Sequence, residues 1–329
     1  MATSLTSTNT GSGKPLPVTG RASPRYDEEA IARTAEALEA YSCIYLLHEP
    51  QQAILARVEQ LRRRTLGKRG VPLPGLRLSQ QSQAGKSRMF EAYKDELAAK
   101  RRHRGLPLKP HQVLIIGLEK SSTLKGVFQS ILIQLEDPYW HHGTEMLLKH
   151  RLREFMVKLD VELLVIDEVQ HLRPGGGKVV DVTDAIKRFL DDGIVPCVLV
   201  GNEDSQPFFE RNKQLASRLG VPLDLSPLNP RVSRQATLFK SFCSRLDTSM
   251  ADRNIIKGLS GLAESLPLKA LYAASGGHIG RVVRIVEAAL EHATQREAER
   301  IELYDLWFAI DTFAIPQGYL SHNPLDGMA

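Results

Sequence analysis

The sequence predicts an α/β protein: a parallel five-stranded sheet sandwiched by helices, followed by a small all-α lid. Three observations predict it. Short apolar runs, around Leu76 and Leu78 and over residues 113–117, 161–168 and 195–201, alternate with helical stretches through the first two thirds of the chain. Runs of Leu, Val and Ile without alternation are what a parallel sheet buried on both faces requires. The stretch Gln80-Gln81-Ser82-Gln83-Ala84-Gly85-Lys86-Ser87 joins the first strand to a helix, which is the local order of a phosphate-binding loop. From Pro230 onward the strands stop and helical patterns follow one another with short links, as in a layer of helices set beside an α/β base.

The elements follow in order. Residues 1–25 are rich in Ser, Thr, Gly and Pro without apolar period, and are expected to be disordered. Residues 27–41 read as a helix with Ile31, Ala35 and Leu38 on one face, and residues 51–64 as a second with Ile54, Leu55, Val58 and Leu61 spaced for burial. A Pro- and Gly-rich loop, 70–75, introduces the first strand, and a helix is expected over 88–100. A strand over 113–117 is followed by helices over 127–135 and 145–158, then by the strand 161–168. Arg173 to Lys178 reads as a flexible loop before a helix over 182–190. The strand 195–201 ends at Asn202, a helix is expected over 208–219, and residues 220–225 would be the fifth strand. Helices are expected over 233–246, 252–262, 268–275, 281–297 and 304–312, and the remainder, with two prolines and two glycines, reads as a tail. The organisation is therefore a disordered segment 1–25, an α/β base 26–228, a helical lid 229–313 and a flexible tail 314–329.

Chemistry concentrates at the strand ends. In the loop, Lys86 would reach the β- and γ-phosphates of a nucleotide and the Ser87 hydroxyl would ligate Mg²⁺. Gln80 stands where the motif G-x-x-x-x-G-K-[ST] wants glycine, a position that glycine fills through its freedom at positive φ. Lys86 and Ser87 remain, so Gln80 is expected to slow binding or hydrolysis without abolishing either. The strand 161–168 ends in Asp167 and Glu168, and ligands of such sheets sit beyond the carboxyl ends of the strands. Asp167 would hold Mg²⁺ through its water shell, and Glu168 would polarise the attacking water as general base. Asn202, after the next buried strand, is placed to orient that water; the plain alternative is a turn residue. Arg211 and Arg218 lie seven positions apart, on one face of the expected helix.

Composition bounds the rest. The chain has 329 residues, 42% of them hydrophobic, enough for one large or two modest cores. Cys43, Cys197 and Cys243 lie far apart without metal spacing, so neither zinc nor a disulfide framework is implied. No apolar run approaches the ~18–20 residues of a membrane helix and no secretory apolar region opens the chain, which leads to the expectation of a cytoplasmic protein with no membrane partner. A net charge of +5 is compatible with a polyanionic partner. Two basic clusters, Arg62-Arg63-Arg64 with Lys68 and Arg69, and Lys100-Arg101-Arg102-His103-Arg104, read either as solvated helix ends or as nucleic-acid contacts.

The order of loop, acidic pair, asparagine, helix-borne arginines and helical lid resembles the AAA+ ATPases. Four stretches sharpen the resemblance: Tyr45-Leu46-Leu47-His48-Glu49-Pro50, Leu164-Val165-Ile166-Asp167-Glu168-Val169-Gln170-His171-Leu172, Gln214-Leu215-Ala216-Ser217-Arg218-Leu219 and Ser275-Gly276-Gly277-His278-Ile279-Gly280-Arg281. These resemble the TniB/TnsC family, ATP-dependent target-selection regulators of DNA transposition, from about Tyr41 to Ile310. The resemblance implies a slow, partner-stimulated ATPase that uses ATP and Mg²⁺. Its nucleotide would be held by Gln81, Ser82, Gln83, Ala84, Gly85, Lys86, Ser87, Arg88 and Asp167, with His48 and Arg281; Arg284 competes with Arg281 for the lid role. It further implies non-specific binding of double-stranded DNA and a homo-oligomeric ring or helical filament. A DDE transposase and a TniQ-like targeting protein would be its partners. Arg218, with Arg211 as the alternative, would reach the nucleotide of a neighbouring subunit; the plain reading of Arg218 is a surface salt bridge. DNA contact would come from the segment after the second strand, through Lys120, Thr123 and Lys125, although Ser122 or Thr123 equally suits a helix N-cap. Two other classes share these features: a helicase-loader or replication-initiator ATPase, and a scaffold that binds ATP without hydrolysing it. Nothing resembles the acceptor-binding lid of a small-molecule kinase.

Overall fold

The structure is a computed structural model that describes residues 27–81, 84–120, 123–172, 182–211 and 213–327, with the main chain only at positions 182, 185, 208 and 211. Expectations for residues 1–25, for Ser82 and Gln83, for the loop Arg173 to Lys178 and for the Arg211 side chain lie outside what is described.

The chain begins with α1 (Glu28–Ser42), and the base is built from α2 (Glu49–Thr65), β1 (Leu76–Ser79), α3 (Lys86–His103), β2 (Val113–Gly117), α4 (Leu124–Gln134), α5 (Glu145–Lys158), β3 (Leu163–Asp167), α6 (Val182–Asp191), β4 (Cys197–Gly201), α7 (Gln206–Arg211) and α8 (Lys213–Arg218). The sheet is parallel throughout, in the order β1-β4-β3-β2. Every residue of β3 and β4 is buried, because helices cover both faces. Leu164, Ile166, Cys197 and Leu199 face α4, α5 and α6 through Phe128, Ile131, Leu152 and Phe189. Their neighbours Leu163, Val165, Val198 and Val200 face α2 and α3 through Val58, Leu61, Met89 and Phe90. The two-residue period of a strand divides one apolar run between two cores.

Among the described residues four strands form this sheet, where five were expected. Residues 220–225 run beside β1 through a single bridge, Leu78 to Leu223, and a second bridge, Gly75 to Leu219, lies just ahead of both. Pro222 interrupts this stretch and has no N–H to give a ladder. Within the helix expected over 208–219, α7 and α8 lie on either side of position 212, which is outside the described residues.

The lid consists of α9 (Ser233–Asp252), α10 (Ser265–Ser275), α11 (Ile279–Gln295) and α12 (Leu303–Ala309), which passes into a π-helical turn, Ile310–Ala314. The helix expected over 252–262 is a loop instead. Asn254 at φ 57° ends the preceding helix, and the buried Asp247 carboxylate accepts the N–H groups of Ser260, Gly261 and Leu262 at 2.7–3.1 Å. A carboxylate that satisfies three main-chain donors replaces the bonds a helix would have made.

Two boundaries differ from expectation. α1 precedes the base in sequence but packs on the lid: Tyr41 and Leu38 join the helical core, and the Tyr41 hydroxyl donates to Val283 O at 2.8 Å. Residues 314–327, expected as a flexible tail, are held in place. Leu325 is fully buried, Asn323 Nδ2 donates to Trp307 O at 2.9 Å, and Trp307 Nε1 donates to Asp326 Oδ1 at 3.0 Å.

Candidate nucleotide site

The site forms where β1, β3 and β4 end and the lid folds back over them. Gly85 lies in the left-handed region at φ 79° immediately before α3, so the loop reverses and aims the first N–H groups of α3 into the space above the sheet. Those donors have no partner within the helix, and the helix dipole adds partial positive charge there. Lys86, the first residue of α3, is buried and donates Nζ to the carbonyls of Gln80 at 2.7 Å and Gln81 at 2.9 Å. Burial lowers its pKa, and the nearby Asp167, Glu168 and Glu203 oppose that shift.

Gln80 causes no strain. It is not among the described residues with positive φ; its N–H donates to Gly201 O at 3.2 Å and its Nε2 to Asp224 Oδ1 at 3.2 Å. The side chain that replaces glycine is therefore a link from the loop to the connection leading into the lid.

The two motifs meet at one contact. Ser87 Oγ donates to Asp167 Oδ2 at 2.5 Å, and Asp167 Oδ1 accepts the Glu168 N–H at 2.8 Å. Glu168 itself adopts φ 60° and ψ 38°, a conformation few non-glycine residues hold. Its carboxylate accepts from Gln170 Nε2, while Gln170 Oε1 accepts the Asn202 N–H at 3.1 Å. Gln170 thus ties the acid at the end of β3 to the end of β4. Within the expected motif, Gln170 carried no assigned role, because a polar residue two past an acid has no distinctive periodicity. The Asn202 side chain is engaged elsewhere: Oδ1 accepts the Asp204 N–H and Nδ2 donates to Asp204 Oδ2, both at 3.0 Å. In this state it caps a short turn and does not point at the acids.

From the lid, Gly277 allows the approach. Its φ is 79°, and a Cβ there would lie 2.2 Å from Leu228 O, so only glycine fits between α10, α11 and the base-to-lid connection. One turn on, Arg281 reaches back with Nη2 3.5 Å from Gln81 Oε1, while its buried Nε has no hydrogen-bond partner. Arg284, on the same helix, pairs with Glu287 at 3.3 Å.

Between loop and lid is a cavity of about 420 Å³ lined by Ala84, Gly85 and Arg88 from the loop and α3, Tyr45 and Gln51 from the stretch ahead of β1, and Ile279, Val283, Arg284, Phe313 and Gln317 from the lid. The Tyr45 hydroxyl is raised to about 12 by burial, against the pull of the nearby Arg88. His48 does not line this cavity. Its ring packs edge-on to Phe242, its Nδ1 is buried without a partner, and burial with the nearby Arg245 lowers its pKa to about 4. Tyr45, three positions earlier in the same stretch, does line it.

Arg218 lies away from this cluster, Nε 2.8 Å from Asp191 Oδ1, with its side chain 42% exposed. Among the DNA candidates, Thr123 is the N-cap of α4, accepting the Gly126 N–H at 3.2 Å; Lys120 and Lys125 are exposed. In the basic run that ends α2, Arg63, Arg64 and Lys68 are exposed and one residue turns inward. Arg62 is buried and bonded to Glu59 and Glu162, and Arg63 to Glu59 at 2.5 Å.

The donor set fits a nucleoside triphosphate with a divalent cation: a helix N-terminus and lysine for phosphates, two oxygen ligands in contact at Ser87 and Asp167, and an adjoining cavity with mostly apolar walls for a nucleoside. Fold and site together define a P-loop protein of the AAA+ class. A family model described as Bacterial TniB protein matches residues 41–225, more than half of the chain, and the protein belongs to that family. No curated protein sequence matches it. Among solved structures it is similar to the Aeropyrum pernix ORC2 protein in ADPNP–ADP complexes, with a TM-score of 0.60 at 14% identity, over 88% of this chain and 74% of that one. It is similar also to Pyrobaculum aerophilum Cdc6p, with a TM-score of 0.57 at 17% identity over 82% and 69%. A third is the Aeropyrum pernix ORC1 protein in complex with DNA, with 0.53 at 19% over 84% and 69%. At these identities the likeness is one of fold.

Proposed function

We propose that this chain is an ATP-dependent, DNA-associated regulator of transposition, which assembles with copies of itself on duplex DNA and presents that DNA to a DDE transposase. The observation that carries the reading is the Ser87–Asp167 contact beside Lys86, on a helix whose Arg88 and preceding Gly85 line the base–lid cavity, in a chain of the TniB family. Phosphates are held by the N-terminal N–H groups of α3 and by Lys86, which exchanges the Gln80 and Gln81 carbonyls for phosphate oxygens. Ser87 and Asp167 would hold Mg²⁺, which would supply charge neutralisation on the phosphate oxygens. Glu168 accepts the proton of the attacking water, and Gln170 fixes the direction of its carboxylate. Arg281 reaches the phosphates from the lid. Arg218, exposed and paired only within its own base, is free to exchange Asp191 for the nucleotide of a neighbouring copy.

DNA is met through phosphates, by Lys120 and Lys125, with Thr123 serving the helix they flank. Such contacts position without reading sequence, and their affinity falls steeply with salt. A TniQ-like targeting protein is the further partner that supplies site choice. The testing experiment images the purified protein with duplex DNA, with and without a non-hydrolysable ATP analogue. Assemblies coating the DNA only with the analogue are expected; free monomers in both conditions would overturn the reading.

A further inference from the structure

The C-terminal segment is a wall of the cavity above the phosphate loop. α12 runs into the π-helical turn Ile310–Ala314, a wide turn that is rare and is found frequently at functional sites. Ile310 and Ala314 are buried in the helical core, while Phe313 and Gln317 line the 420 Å³ cavity. The segment is closed on itself by the Gln317 N–H to Phe313 O at 3.1 Å and the Tyr319 N–H to Ala314 O at 3.0 Å. Beyond it, Leu325 and Asn323 are buried and bind the chain to α12. The position is therefore fixed from both sides.

Tyr319 and Phe313 pack edge to face at 5.9 Å, and each lies under a lid arginine. The Arg281 guanidinium is 4.6 Å from the Tyr319 ring centre, and that of Arg284 is 5.8 Å from Phe313. A cation above a ring face is attracted by its quadrupole and loses freedom to swing away. Arg281 is held on one side by Tyr319 and faces Gln81 on the other. Phosphates anchored at Lys86 and Ser87 leave the nucleoside for the remaining walls. There, Phe313 offers an aromatic surface and Gln317 an amide that both donates and accepts.

We propose that Phe313 to Tyr319 completes the nucleotide site: Phe313 and Gln317 meet the purine nucleoside, and Tyr319 is a positioning residue that keeps Arg281 against the phosphates. The proposal rests on the nucleotide reading above and adds to it a segment whose composition marks it as a tail.

The test titrates fluorescent N-methylanthraniloyl ATP and GTP into the full-length protein and into Lys86→Ala, Tyr319→Ala, Tyr319→Phe, Arg281→Met and Gln317→Ala variants. Tyr319→Ala weakens ATP roughly 2–30-fold, the range of a cation–π contact, whereas Tyr319→Phe keeps the ring and stays near wild type. The double variant Tyr319→Ala with Arg281→Met binds no more weakly than Arg281→Met alone, because both remove one contact. Gln317→Ala narrows the preference between ATP and GTP. Should Tyr319→Ala fail to fold, Tyr319→Leu, which fills the same space without a π-face, must show the loss that Tyr319→Phe does not. If Lys86→Ala abolishes binding while the Tyr319 and Gln317 variants all match wild type, the nucleotide reading stands and this proposal falls. If the wild-type protein binds neither nucleotide, both fall.

Discussion

Glu168 occupies a left-handed backbone conformation that costs a non-glycine residue on the order of 1–3 kcal/mol and persists only where its surroundings enforce it. Here the enforcement is visible: Asp167 takes its N–H and Gln170 its carboxylate. Strain of this kind at the end of a central strand aims the acid outward, above the sheet. On the proposed reading, Glu168→Gln abolishes turnover and leaves ATP and DNA binding intact, and Gln170→Ala lowers turnover by roughly 10–100-fold at unchanged nucleotide affinity, as loss of an orienting partner does. A steady-state phosphate-release assay beside a nucleotide titration measures both; wild-type protein without turnover would instead mark a scaffold. His48 gives a prediction about stability. Burial and Arg245 lower its pKa to about 4 from an ordinary 6.5, so the unfolded chain takes up the proton first as pH falls. Its contribution is whole above 6.5 and is lost between 6.5 and about 4, up to ~3 kcal/mol. Urea midpoints across that interval should flatten in His48→Gln; an unchanged slope would mean another group titrates. The acidic pair and the lysine were legible from their neighbours in sequence. Gln170 and Tyr45 were not, because their roles are set by partners on other strands and on the lid.

At the scale of an element, α2 shows how far periodicity reaches. The apolar face of Ile54, Leu55, Val58 and Leu61 is buried as its spacing requires. Periodicity says nothing of which arginine in the following run turns inward. Arg62 does: it bonds Glu59 at 2.8 and 2.9 Å and also Glu162, which in turn accepts from Gln112 at 2.8 Å and Lys109 at 3.0 Å. Burial alone would raise the Glu59 pKa, yet hydrogen bonds from Arg62, Tyr93 and Arg63 outweigh it and hold it at about 2. The network fastens α2 and α3 to the start of β3. Removing its cation leaves Glu59 with Arg63 and Tyr93, and Glu162 with Lys109 and Gln112, so Arg62→Met should cost ~1.5–3 kcal/mol, the range for hydrogen bonds to charged groups. Adding Glu162→Gln should recover part of that. Urea unfolding decides; a loss under about 1 kcal/mol would show that Arg62 behaves as a surface residue. In the lid, Asp305 plays a comparable part, accepting from His292 and Arg296 at 2.7 Å and from the Glu302 N–H at 2.8 Å.

For the whole molecule, the decisive relation is between base and lid. α1 crosses from the beginning of the chain to the lid core, Leu228 N–H meets Gly277 O at 3.0 Å, and Gln80 joins the loop to Asp224. Loop, connection and lid are thus mechanically one unit around the cavity. Arg218 is on the outside of that unit, at the end of α8, where α6 supplies its partner Asp191. In a head-to-tail assembly each site is completed by the next copy, which makes a mixing experiment decisive. Arg218→Ala and Glu168→Gln should each be inactive alone. Mixed in equal amounts, they should regain about a quarter of wild-type turnover, the fraction of sites with an intact base and an intact neighbour in a randomly filled heterologous ring. A mixture as inactive as its parts would place Arg218 in a salt bridge only. No described helix is long and apolar enough to cross a membrane.

What the chain determined by itself was whatever depends on near neighbours: the loop before α3, the acids closing β3, the alternation of strand and helix, and the apolar faces. Each is a pattern of a few residues whose backbone geometry makes it readable. Tertiary structure alone decided the rest: that residues 220–225 touch the sheet without joining it, that α1 belongs to the lid, that Arg62 is buried, and that residues 313–319 wall the cavity. Those outcomes depend on partners tens to hundreds of positions away. A short segment rich in Pro and Gly has no periodicity to announce where it will pack, and only the surface it meets, here the aromatic and arginine side chains of the lid, fixes its place.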